Sequence, residues 1–122
     1  MTERKSFSFL TFKIVVEIRE DVPDGYDKNS AAGCQDDPGD DEVFRIWFSM
    51  KEELPSLTSV VHECWHLFMA VMNYVDKHEH TFEEMNNEIY AYNFHLLFSK
   101  VLDSILESKM YQRYSKKELE EN

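Results

Sequence analysis

His62-Glu63-Cys64-Trp65-His66 sets two imidazoles four residues apart, with a carboxylate directly after the first. On a helix such positions lie one above the other, so both rings can reach one ion at the ~2.0–2.1 Å that zinc requires. Glu63 is turned about 100° from His62, which suits it to a water beside the ion rather than to the ion itself. Two ligands with a general base alongside are the requirements of metal-assisted hydrolysis. A chain with 5 His produces this pattern in roughly one shuffled sequence in forty, so its placement must carry the argument.

Residues 56–76 read as the helix that carries it, with Pro55 suited to the first turn. Leu57, Val61, Cys64, Phe68, Val71 and Val75 form a stripe about 80° wide, and His62 and His66 lie about 140–180° from its centre. The stripe can pack on a sheet while the histidines face a second helix. That helix is expected over residues 82–111, where Thr81 and Glu84 make a capping box and Phe94, Phe98, Val101, Leu102, Ile105 and Leu106 recur at helical spacing. Glu88 is the favoured third ligand, because Glu83 and Glu84 serve the cap and the helix dipole. Ala91 would let the two helices approach closely. Tyr92 and His95 share the side of Glu88 and are candidates for outer hydrogen bonds, substrate contact or oxyanion stabilisation. His95 reads equally well as a partnered histidine without a role.

The remaining elements have to position this pair. Residues 6–18 read as one strand, from the alternation of Phe12, Ile14, Val16 and Ile18, and residues 43–50 as a second. Between them residues 19–42 hold all three glycines and two of the three prolines, together with Asp36, Asp37, Asp40, Asp41 and Glu42. This is an acidic solvated loop without the spacing of a calcium-binding EF-hand. The two strands are expected to pair antiparallel, giving an α+β domain over residues 1–122. It would be a short antiparallel sheet packed on two main helices, with a flexible charged tail at 112–122.

Composition narrows the function classes. The formal charge of -11 repels phosphate backbones and argues against nucleic-acid binding. No apolar run approaches the ~20 residues of a membrane-spanning helix, and the opening residues are not a signal peptide. The 2 cysteines, Cys34 and Cys64, make no disulfide framework, and Cys64 sits in the apolar pattern of the helix. A reduced, cytoplasmic setting is therefore expected. A di-iron site is excluded, since only Glu63 and His66 have the required spacing and too few helices are present.

His62-Glu63-Cys64-Trp65-His66, followed by Asn87-Glu88-Ile89-Tyr90-Ala91, resembles the gluzincin branch of zinc metallopeptidases, particularly the minimal members often encoded by phages and prokaryotes. The likeness spans roughly residues 43–106. It implies Zn²⁺ on His62, His66 and Glu88, with Glu63 as general base and a peptide or protein as substrate. It also implies that residues 43–50 form an edge strand holding extended peptide. Two departures stand out: Tyr92 occupies the place where larger members carry an orienting carboxylate, and the oxyanion donor is left open among Tyr90, Tyr92, His78, His80 and His95. The competing expectation is an inactive zincin-like module that binds metal and serves in interactions.

Overall fold

The computed structural model describes residues 2–35, 38–39, 41–50, 53–79 and 87–121. The alternation at Phe12, Ile14, Val16 and Ile18 forms a strand as expected, with all four side chains buried. The segment before it is a separate strand, so residues 6–18 are not one strand but part of a hairpin. Strand β1 (Thr2–Phe9) pairs antiparallel with β2 (Phe12–Arg19), and Phe9 lies opposite Phe12. The turn at Leu10-Thr11 has no glycine, asparagine or proline to announce it, and Leu10 takes the left-handed conformation (φ 54).

Two more strands complete a four-stranded sheet in the order β1-β2-β4-β3: the short β3 (Ala32–Cys34) and β4 (Val43–Ser49). The expected antiparallel pairing of the two long strands is corrected here, because β2 and β4 run parallel, with Ile14 opposite Phe44 and Ile18 opposite Phe48. The physical reason is β3. After β2 the chain passes the place of β4, returns through β3, and turns into β4 between the two. A parallel pair forms without a helical crossover, and β3 and β4 are antiparallel. The class is α+β, with a mixed sheet.

One face of the sheet is the core face. Phe44, Ile46 and Phe48 of β4 join Ile14, Val16 and Ile18 of β2, all fully buried. Helix α1 (Leu57–Glu79) packs beside β3 and β4, and α2 (Asn87–Leu106) beside β1 and β2. The Ser56 hydroxyl accepts the Ser59 N–H at 3.1 Å, so Ser56 is the N-cap of α1 and Pro55 precedes the cap. The expected capping box at Thr81 and Glu84 lies outside the described residues. On the other face of the sheet, Trp47 is buried under the loop after β2, edge-on to Tyr26 at 5.0 Å between centroids.

The second long helix stops at Leu106 rather than near 111, and a third, α3 (Lys109–Glu121), occupies what was expected to be a flexible tail at 112–122. Ser108 turns the chain between them, its hydroxyl accepting the Tyr111 N–H at 3.1 Å. The Glu3 carboxylate of β1 then accepts the N–H groups of Lys109 (3.0 Å) and Met110 (2.8 Å). Met110 is buried beneath. Glu3 and this helix are far apart in sequence, so no local reading could anticipate the cap. Glu3→Ala is expected to cost about 1–2 kcal/mol through loss of two charge-assisted bonds at a helix N-terminus. A urea titration measures it, and an unchanged midpoint would mean that the cap contributes nothing.

Candidate metal centre

The helix that carries the histidines forms because its apolar residues recur on one side. Val60, Cys64, Leu67, Phe68, Val71 and Val75 are buried, whereas Leu57 and Val61, which the sequence placed in this stripe, are exposed, the buried face having turned toward Val60 and Leu67. His62 and His66 stand on the opposite, exposed side, as the stripe geometry requires. Their Nε2 atoms lie 3.1 Å apart, with ring centroids at 4.6 Å and planes at 79°. Where one Nε2 carries a proton and the other does not, the first donates a hydrogen bond to the second. Two ligands of a tetrahedral zinc stand about 3.3 Å apart, so the pair already holds close to a chelating separation. On this criterion the pair fits two of the ligand positions of a zinc ion.

Glu63 is half-buried and faces an open groove between α1 and β3. Ala31 and Ala32 line one wall of that groove; Ser59, His62 and Glu63 line the other. The carboxylate and the first imidazole therefore share one solvent-accessible space. The family resemblance implied residues 43–50 as the edge strand beside such a groove, and this is corrected: β4 lies between β2 and β3, with Ile46–Phe48 paired to β3 on the side of α1. The edge next to α1 is β3. The Ser49 N–H donates to the Ala31 carbonyl (2.8 Å) and the Gln35 N–H to the Arg45 carbonyl (2.9 Å). By alternation, the backbone groups of Ala32 and Cys34 point away from β4. The Tyr26 hydroxyl donates to the Cys34 carbonyl at 3.3 Å, closing one end of the edge. A three-residue strand flanked by Ala31 and Gln35 gave no periodic signal in the sequence.

Cys64, inside the motif, belongs to the core. Burial pushes its thiol up to about 12, aided by the nearby Glu63 charge. It is neither nucleophile nor ligand at neutral pH. An unfolded thiol ionises near 9.0, so the neutral buried form stabilises the fold fully below that pH, and the contribution falls away as pH rises toward 12. At pH 8 a thiol reagent is expected to leave Cys64 unmodified in the native protein and to modify it after unfolding. Native labelling of Cys64, read by peptide mass, would contradict its burial.

The second helix contributes differently from expectation. Phe94 packs on Trp65 (5.4 Å between centroids) and on Phe68 (5.7 Å), and Tyr90 on Phe68 (6.1 Å). Tyr90 is thereby drawn toward the core. Glu88, Tyr92 and His95 are all exposed, Tyr92 at 68%. Among the described residues no group of three His, Cys, Asp or Glu side chains is gathered as a metal site, so neither Glu88 nor His95 is turned onto the histidine pair. His80 lies outside the described residues. In the acidic loop, Asp36, Asp37 and Asp40 also lie outside them. Asp41 caps the entry to β4 through the Val43 N–H (3.1 Å), and its bond to Arg45 (2.9 Å) holds its carboxyl below the usual value.

No protein-family profile matches the chain, and no curated protein or solved structure gives a significant match. No helix of the described residues is long and apolar enough to cross a membrane.

Proposed function

We propose that this chain is a zinc-dependent metallopeptidase that hydrolyses peptide bonds. The observation that carries the proposal is the His62–His66 pair, with Nε2 atoms 3.1 Å apart on the exposed face of α1 and Glu63 in the adjoining groove. His62 and His66 would hold the ion with a third ligand from α2, Glu88 being the one that the family resemblance supplies. Bound zinc supplies a Lewis acid and a water acidified toward neutrality. Glu63 takes the proton from the attacking water and passes it to the leaving amine, its half-buried carboxylate being held beside the groove. The outward-pointing backbone of Ala32 on β3 offers an extended substrate strand its hydrogen bonds, parallel to the wall that carries Glu63.

A second reading keeps the metal and drops the chemistry: a zincin-like interaction module without activity. It is favoured by the openness of the site, where both imidazoles stand exposed on a helix face instead of at the floor of a cleft. Metal analysis of untagged protein purified without added zinc tests the part common to both readings. About one zinc per chain is expected in the wild type and little in His66→Ala; equal, negligible zinc in both would remove the site. Hydrolysis of a peptide library, read by mass spectrometry, separates the two readings.

A further inference from the structure

We infer that this chain pairs with a second copy of itself through the outward face of α1 and α2. Large apolar residues of α1 recur there at four-residue spacing, Leu57, Val61, Trp65 and Met69, all exposed and Trp65 by 50%. Trp65 meets Phe94 of α2 at 5.4 Å between centroids, and the exposed Tyr92 and Leu96 carry the surface onto that helix. By contrast Leu10, Tyr26, Leu106 and Leu119 stand singly on a turn, a loop, a helix end and α3. Single exposed residues of that kind are ordinary, whereas a gathered set marks a contact surface.

Charge selects the occupant. Residues 57–75 and 89–99, with histidine counted as neutral, hold one charged side chain, Glu63, in a chain of 13 basic and 24 acidic residues. An exposed helix face ordinarily carries many more. Glu63 itself is turned about 160° around α1 from Trp65, into the groove beside β3, so pairing leaves that groove open. The face has no cation to hold a phosphate or an anionic lipid, and no row of carboxylates to hold a basic helix. Two chains of formal charge -11 repel each other, and they can pack only where neither presents charge. A two-fold axis sets this uncharged face against itself, with Trp65 and Tyr92, residue types that dominate interface energetics, inside the contact. The six side chains expose roughly 600 Å² per copy, or about 1,200 Å² in the pair, which is the lower end for a stable specific interface.

The test is sedimentation velocity of the full chain at about 100 µM, ample for an interface of this size, with a chelator present. The chelator keeps metal from His62 and His66, so the outcome is independent of zinc binding. The wild type is expected to run as a dimer, more completely as added salt screens the repulsion between the two acidic chains. Trp65→Glu and Tyr92→Glu, which set like charges against each other, are each expected to weaken pairing at least about tenfold. Leu119→Glu, on α3 and outside the face, changes it less than about twofold. Tyr92 belongs to no core cluster, and circular dichroism confirms that each variant keeps its helices. A wild type that stays monomeric overturns the inference, as does a dimer that both glutamate variants leave intact. A monomer that co-sediments with phosphatidylcholine vesicles would give the face to a lipid surface, and one that does not would leave it to a different protein; either result ends the proposal.

Discussion

Glu63→Gln is expected to retain the zinc of the wild type and to lower peptide hydrolysis by about 10²–10⁴-fold, the usual worth of a positioned general base. The substitution keeps size and hydrogen-bonding shape while removing the only feature that matters to the proposal, a carboxylate able to take and return a proton. Its placement allows this separation. Glu63 lies in the groove between α1 and β3, rotated around the helix from the His62–His66 pair, so the two imidazoles and their 3.1 Å separation do not depend on it. The protein should melt where the wild type does, because Glu63 is only half-buried and belongs to no core cluster. Zinc retained with hydrolysis lost supports the peptidase. Hydrolysis unchanged by Glu63→Gln would end that reading, and zinc bound without hydrolysis in the wild type would leave the interaction module.

The second large effect is expected from a residue that carries no chemistry. Gly33 sits in the middle of β3, opposite Trp47 of β4, and a Cβ added there would lie 2.6 Å from the indole Nε1 and 2.9 Å from Cε2. Trp47 cannot yield cheaply, being 3% exposed and held edge-on by Tyr26. Its indole N–H is buried without a hydrogen-bond partner, which indicates how closely the ring is already confined. Gly33→Ala is therefore expected to destabilise the fold by about 1–3 kcal/mol through overpacking, and to shift the near-ultraviolet dichroism of Trp47. Because β3 is the edge beside the groove, the same change should weaken peptide capture more than zinc binding. Trp47→Phe removes the atoms that clash, so the double variant should recover part of the loss from Gly33→Ala. Additive losses in that cycle would show that the contact is not the cause.

These two expectations draw on different kinds of legibility. Glu63 was readable from sequence, since the geometry linking it to His62 and His66 is local to one helix. Gly33 was not. Its reason for being glycine is a tryptophan on another strand, and a strand of three residues has no periodicity to detect. The hairpin between β1 and β2 escaped for a related reason: Leu10 adopts a conformation that the sequence normally signals with glycine or asparagine. At helix α3 the local cap, Ser108, was legible, but the Glu3 carboxylate that holds its first N–H groups comes from a strand far away in sequence.

By itself the sequence determined much that depends on the period of α1 and β2. That includes Cys64, Phe68, Val71 and Val75 on the buried face of α1, the exposed histidine pair opposite it, the alternation of β2, and the α+β class. Only the tertiary structure decided what depends on where elements stop and which neighbours they meet. It made β4 an interior strand parallel to β2, handed the edge beside α1 to β3, and carried α1 on to Glu79. The histidine pair is a property of one turn of helix. How α2 lies against it depends on the register of two helices, which their aromatic contacts set and which no count of residues after His66 contains.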